Sequence, residues 1–431
     1  MRVSRRCDSR LDVTLSRLDV ADASAHILAN VVALAEEHVP LAEALGRVLA
    51  RDTGSSVSLP PRDNASMDGF AVRAEDVRGA TRNAPARLTV IETIAAGARP
   101  ARRVERGEAA RIMTGAYVPD GVDSVIRVED TDASGDVVLV RDERDALRNI
   151  RRRGEDVQAG AIVMRAGTAL APAHIGVLSS IGRATVPVHR RPRVAVLATG
   201  DELVPVTDFD AVVAGDRIVS SNSYSLAAAV RAAGGEPVDL GIAPDTPDAL
   251  AEHLRRAEGC DLVLTSGGVS VGDFDYTRGV IAQLGGTLSL WKVRMRPGAP
   301  LGFGTVFGAR WLGLPGNPVS ALVTFELFGR PLVRALSGNA RPHRRTIAVT
   351  LAEPMKLAVP LTHFLRVHLD SGHPFPLARL TGAQSSGMLT SMSAADALLV
   401  VPPDPLELDA GATLRALLLD GDLGGSGRFL S

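Results

Sequence analysis

The feature that most restricts the fold lies between residues 191 and 338, where apolar runs ending in glycine alternate with capped helical segments. RVAVLATG (193–200) and CDLVLTSGG (260–268) have the continuous apolar character of strands buried on both faces. PVDLGIAPDT (237–246) reads as a strand and loop, and WLGLPGNPVSALVTFELFGRPLVRAL (311–336) as strand, loop and long helix. Between them, SNSYSLAAAVRAAGG (221–235) is a helix closed by glycines. TPDALAEHLRRAEG (246–259) is a helix with a threonine cap and a first-turn proline, and DYTRGVIAQLGG (275–286) is another helix. Such alternation requires a parallel sheet with helices on both faces. Ligands then bind where loops leave the C-terminal strand ends.

Polar residues concentrate at those ends: Thr199-Gly200-Asp201-Glu202, Asp245-Thr246, the loop from Thr265 to Thr277, and Leu314-Pro315-Gly316-Asn317-Pro318-Val319-Ser320. The 265–277 loop has the composition of a phosphate cradle, in which glycines let backbone N–H groups approach an anion. It is not a Walker A loop, since Asp273 stands where lysine is required, and its glycines could equally serve a tight turn. Glu202, Asp245 and Asp275, on neighbouring loops, suggest Mg²⁺, although each alone could cap a helix. Lys292, Arg294 and Arg296 would share one face of an extended strand beside Pro297-Gly298, as an oxyanion site or as a solvated edge.

Elsewhere the texture differs. Residues 1–20 read as a loose extension, 22–37 as an amphipathic helix, 41–50 as a second short helix, and 58–70 as loop. Residues 86–140 carry short β-type runs, 172–182 a helix, and 341–431 β runs consistent with a C-terminal barrel or sandwich. Lys+Arg (48) and Asp+Glu (49) balance, against general nucleic-acid binding. Cys7 and Cys260 are too few for a disulfide framework or a sulfur-based metal site. No uncharged apolar run reaches the ~18–20 residues of a membrane span. The basic N-terminus lacks the apolar core of a signal peptide, so a cytoplasmic protein is expected. His174, His253, His363, His368, Trp291 and Trp311 take structural readings.

Six strings, in order, carry a resemblance. They are Pro60-Pro61-Arg62-Asp63-Asn64-Ala65-Ser66-Met67-Asp68-Gly69-Phe70, Arg111-Ile112-Met113-Thr114-Gly115-Ala116, Arg151-Arg152-Arg153-Gly154-Glu155-Asp156, Thr199-Gly200-Asp201-Glu202-Leu203, the 265–277 loop, and Leu314 to Ser320. From about residue 22 to its end the chain resembles the molybdopterin molybdenumtransferase family, the MoeA type also represented by the gephyrin E domain. The resemblance implies a multidomain α/β plus β protein. Its parts would be an extension (1–20), a discontinuous elongated domain I (21–54 with 154–190), an inserted β domain II (55–153), an α/β molybdopterin-binding domain III (191–338) and a C-terminal β-barrel domain IV (339–431).

The resemblance also implies an enzyme that takes adenylylated molybdopterin and molybdate, with Mg²⁺, and yields molybdenum cofactor and AMP. It implies a homodimer whose cleft includes elements of the partner subunit, and transient contact with molybdopterin adenylyltransferase and cofactor-free molybdoenzymes. Asp68, Thr114, Asp156, Glu202, Asp245 and Asp275 map onto functional family positions, with Glu202, Asp245 and Asp275 at the Mg²⁺ site. Asp156 could instead hold a salt bridge at a domain junction. Thr199, Gly200, Ser266, Gly267, Gly268, Ser270, Lys292, Pro315, Gly316, Asn317 and Pro318 map onto the substrate site, and Arg296, Pro297, Ser320, Arg366 and Ser386 onto the molybdate site. Family members often read Asn-Ser-Ala-Met-Asp-Gly-Tyr where this chain has residues 64–70, and often carry lysine at the positions of Arg296 and Ala299. Two other functions fit the residues less well: molybdopterin adenylylation, whose proteins usually read Gly-Gly-Thr-Gly where this chain has Gly267-Gly268-Val269-Ser270, and a non-catalytic cofactor carrier or scaffold.

Overall fold

The structure is a computed structural model and describes residues 18–268, 274–370 and 374–419. Its internal contacts divide it into two units. One comprises the described residues up to Ala50, Gly167–Ala171, and those from Thr185 onward; the other comprises Arg51–Ala166 and Pro172–Ala184.

The first unit is built on a six-stranded sheet ordered Glu236–Ala243, Arg193–Thr199, Leu262–Ser266, Ala309–Leu314, Gly302–Val306, Thr287–Trp291. The first four strands are parallel, and the last two pairings of the sheet are antiparallel. Alternate residues of the central strands feed two cores. Val194 and Val196 pack with Leu226, Val230 and Leu332 on one face. Ala195 and Leu197 pack with Leu250, Leu254 and Trp311 on the other. The helix Pro247–Arg255 starts as its sequence requires, with the Thr246 hydroxyl accepting from Ala249 N–H at 3.3 Å. The long helix from Pro318 runs to Leu336 but widens into a π-helical turn over Phe325–Gly329, just before Pro331, which has no N–H to contribute.

The same unit carries a closed β-barrel. Strands Thr362–Asp370, Leu377–Leu380, Thr346–Leu351, Thr413–Leu418 and Ala397–Val401 pair in that order, and the last returns to the first. The two-residue strand Met295–Arg296 leaves the α/β domain and pairs in parallel with the barrel, Met295 opposite Thr362 and Arg296 opposite His363. This corrects the extended-strand reading of 292–296. Lys292 is in a left-handed conformation (φ 79°), which breaks the alternation. Arg294 pairs with Asp19 at 3.4 Å, and of these three cations only Arg296 is both exposed and without an ion pair to a described residue.

The N-terminal helices also differ from expectation. The helix covers only Val20–Leu28 and stops before Asn30, which is left-handed at φ 55°. Val31 and Leu34, whose spacing suggested more helix, reach the same core from extended chain, and Leu34 N–H bonds to Leu336 O at 2.8 Å. Glu36–Pro40 is a strand paired with Thr185–His189. Residues 41–50 keep one 3₁₀ turn, Leu41–Glu43, and then pair with 167–170 instead of coiling.

The second unit is a six-stranded sheet ordered Ser124–Arg127, Gly69–Val72, Glu108–Ile112, Ala86–Ile94, Val137–Val140, Thr131–Ser134. Alternation puts Phe70 and Val72 in one core with Leu88 and Ile126, and Ala71 in the other with Ile94 and Ile112. The 58–70 stretch is thus not all loop: Asn64–Ala65 pairs with Ile150–Arg151, and Gly69 opens a central strand. A Cβ on Gly69 would lie 1.9 Å from Ile126 O. Gly69→Ala is therefore expected to destabilise the protein by about 1–3 kcal/mol in urea unfolding. Gly176→Ala, in the open face of the helix Pro172–Ser180, is expected to stabilise it by about 0.5–1 kcal/mol.

Candidate functional site

Two sizeable cavities among the described residues of the first unit gather the residues of interest. The smaller, about 410 Å³, lies at the C-terminal ends of the parallel strands and is lined by Thr199, Gly200, Glu202, Asp245, Ser266, Gly267, Gly268, Gly316, Asn317 and Pro318, with Ser220 and Asn222. It gathers residues from four loops because the strands end level. Ala198 pairs with Ser266, and Ser266 with Leu314. Gly267 is held against the end of the first strand, where a Cβ would come 2.5 Å from Thr199 O. The Glu202 carboxylate folds over Gly200, 2.7 Å from where a Cβ would stand. Asp245 is set by Asp201, whose carboxylate accepts Asp245 N–H at 3.1 Å.

Within this cavity Ser266 is an internal tie. Its hydroxyl accepts from Asn222 Nδ2 at 2.7 Å and donates to Pro315 O at 3.4 Å. Pro315 contributes that carbonyl and no wall. Lys292 is in the wall of neither cavity. Ser270 and the Asp275 side chain lie outside the described residues, although Asp275 falls in the first turn of the helix Phe274–Gln283. Among the described residues no group of three or more His, Cys, Asp and Glu gathers at ion-holding distance. Glu202 and Asp245 line this cavity and could offer the oxygen donors that suit Mg²⁺, which is content with one or two carboxylates and substrate phosphates.

The larger cavity, about 840 Å³, lies where the α/β domain meets the barrel. Arg296, Pro297, Ser320, Arg366 and Ser386 all line it. Val319 N–H donates to Ser386 O at 3.1 Å, which brings the two serines to one wall. Neither serine hydroxyl makes a hydrogen bond among the described residues. Arg366 plays a different part from a simple ligand. It is 0% exposed, and its guanidinium donates to Ser391 Oγ (3.2 Å), Gln384 O (3.2 Å), Ala383 O (3.3 Å) and Ser385 O (3.0 Å). One N–H of Nη1 is left. Burial pushes its pKa below the ordinary guanidinium value, and no carboxylate among the described residues offsets that burial. Arg366 thus folds the 383–386 loop around itself and puts an unpaired positive charge behind the cavity wall.

In the second unit, Asp68 accepts both the hydroxyl and the backbone N–H of Thr114, each at 2.7 Å. Those two donors, the hydroxyl first, hold the Asp68 carboxyl below its ordinary 3.8. Asp156 lines a cavity of about 470 Å³ with Pro60, Asn64, Arg151 and Glu155. It makes no ion pair among the described residues; the salt bridge of its arginine run is Arg152 to Asp63 at 2.7 Å. Asn64 Oδ1 is buried without a partner among the described residues.

Comparison with known proteins matches three consecutive stretches of the chain. The chain matches the MoeA N-terminal region (domain I and II) over 18–182, the probable molybdopterin binding domain over 195–335, and the MoeA C-terminal region (domain IV) over 348–419. It is 40% identical over 384 residues to molybdopterin molybdenumtransferase 2 of Mycobacterium tuberculosis, covering 88% of this chain and 93% of the relative. The chain belongs to the MoeA family. A MoeA-family relative named molybdopterin molybdenumtransferase, from Nostoc sp., is 37% identical over 390 residues, 89% of this chain and 88% of that protein. The crystal structure of the molybdopterin biosynthesis MoeA protein of Pyrococcus horikoshii OT3 superposes with a TM-score of 0.80 at 30% identity, covering 94% of this chain and all of that one.

Asn222 and Asp201 were not among the site residues read from the sequence. The signal was a polar Ser-Asn-Ser opening a helix on the rim of a parallel sheet. Thr114→Val, which removes one of the two donors to Asp68, is expected to move the Asp68 pKa upward toward 3.8 without reaching it, since the backbone donor remains. An NMR titration of that carboxyl checks this.

Proposed function

We propose that this chain inserts molybdenum from molybdate into adenylylated molybdopterin and releases AMP. The observation that carries the reading is the gathering of Arg296, Ser320 and Ser386 around one cavity, with the buried charge of Arg366. Molybdate is a tetrahedral dianion, which charge-assisted donors and hydroxyls hold well. Arg296 is the exposed guanidinium that meets it, and the two serine hydroxyls orient its oxygens. Arg366 acts from behind, holding the 383–386 loop and adding positive potential.

The strand-end cavity takes the adenylylated pterin. Gly267 and Gly268 let backbone approach its phosphates, and Asn317-Pro318 opens a helix beside them. Glu202 and Asp245 would hold Mg²⁺, joined by Asp275. When bound, that ion supplies charge neutralisation and Lewis acidity at the phosphoanhydride. Asp68, Thr114 and Asp156 are the functional residues of the second unit, with Asp68 ionised through the working range because Thr114 favours its charged form. The chain would work as a homodimer in the cytoplasm, meeting the adenylyltransferase that supplies its substrate and the cofactor-free enzymes that accept its product. No helix among the described residues is long and apolar enough to cross a membrane.

The test is AMP release from adenylylated molybdopterin with molybdate and Mg²⁺ each present and omitted, the product assayed by reactivation of a cofactor-free molybdoenzyme. Release dependent on both ions, with reactivation, is expected. Tight substrate binding without release would make the chain a carrier instead. Glu202→Ala and Asp245→Ala are expected to abolish turnover while leaving the melting profile folded. Arg296→Ala is expected to raise the half-saturating molybdate concentration about 10- to 100-fold, as loss of a hydrogen bond to a charged group should. An unchanged molybdate dependence would remove Arg296 from the site.

A further inference from the structure

Two residues that line the strand-end cavity carry buried polar atoms without a partner among the described residues, Asn222 Oδ1 and Thr199 Oγ1. Asn222 is 8% exposed and Thr199 7%. The orientation of the Asn222 amide is fixed by its neighbours. Nδ2 donates to Gly316 O at 2.7 Å and to Ser266 Oγ at 2.7 Å. Turning the amide over would put two acceptor oxygens face to face at Gly316, so Nδ2 stays where it is and Oδ1 is left over. A buried acceptor without a donor is costly, and such groups in native proteins usually have a waiting partner.

The partner must offer hydrogens. Asn222 Oδ1 can only accept, and Thr199 Oγ1 can accept or donate. Both stand beside Gly267 and Gly268, where the reading above puts phosphates. The group nearest a phosphate that carries two O–H hydrogens on adjacent carbons is a ribose. We propose that Asn222 Oδ1 and Thr199 Oγ1 receive the 2′- and 3′-hydroxyls of the nucleotide half of the substrate, making Asn222 a specificity-determining residue. This rests on the strand-end cavity being the nucleotide site. Asn222 has a second task in the same side chain: through Nδ2 it ties the loop after Leu262–Ser266 to the loop after Ala309–Leu314, so ligand recognition and rim geometry share one amide.

The experiment titrates the intact protein calorimetrically with AMP, 2′-deoxy-AMP and 3′-deoxy-AMP, using wild type, Asn222→Ala and Thr199→Val. Wild type is expected to bind at least one deoxynucleotide about tenfold more weakly than AMP, because removing the hydroxyl leaves a buried acceptor unpaired. Asn222→Ala is expected to bind AMP more weakly and to lose that discrimination. Thr199→Val replaces an unpartnered hydroxyl with a methyl, so it is expected to melt no lower than wild type while losing part of the discrimination. It keeps the test usable if Asn222→Ala loosens the rim. Equal binding of all three nucleotides by wild type would overturn the inference, assigning the two atoms to water. So would a deoxy penalty that persists unchanged in both variants, which would leave Asn222 as a loop tie only. Failure of wild type to bind AMP at millimolar concentration would overturn the reading of the cavity itself, and is distinguishable from both.

Discussion

The strand-end cavity hangs on the register of three parallel strands. Val194–Ala198, Leu262–Ser266 and Arg310–Leu314 pair residue for residue, so their C-terminal ends finish at one level. Three loops then leave side by side, each beginning with a glycine or a proline-glycine pair, and the backbone can approach a ligand from several directions. A shift of one residue in the middle strand would turn Thr265 where Ser266 stands and pull Gly267 away from Thr199. The register is held from both faces, since successive residues of these strands are buried in separate cores.

The larger cavity depends on a different device, a buried cation stabilised by carbonyl oxygens. Arg366 has no carboxylate to answer it, and its charge is held by Ala383, Gln384 and Ser385 carbonyls. A paired arginine would be electrically silent; this one is not. The same interactions that fold the serine-bearing loop also leave that corner short of negative charge. Loop geometry and attraction for an oxyanion thus have a common origin in one side chain.

The α/β domain and the closed barrel were legible because their patterns are local. Unbroken apolar runs ending in glycine, a threonine before a proline, and short alternating strands each carry their own signal. The stretch from Ala29 to Ala50 was not, because Val31 and Leu34 have helical spacing yet reach the core from extended chain once Asn30 turns left-handed. The alternation of Lys292, Arg294 and Arg296 failed for the same reason, a single left-handed residue at 292. The strand-end residues could be listed from sequence because topology collects them. Their division of labour could not. That the Ser266 hydroxyl is engaged by Asn222, and that Arg366 faces carbonyls 17 to 19 positions further on, are three-dimensional facts with no local trace.

The strand Met295–Arg296 belongs by sequence to the α/β domain and by hydrogen bonding to the barrel. The passage from the α/β domain to the barrel, between Leu336 and Thr346, therefore divides the chain but not the hydrogen-bonded fabric. Lifting the barrel away would strip the parallel partner from Thr362 and His363, and would leave Arg296 on the other piece, separated from Arg366 and Ser386. A site stitched across such a seam resists modular exchange. Either half could be replaced by recombination only if the newcomer presented the same two-residue edge in the same register, so the halves are constrained to change together.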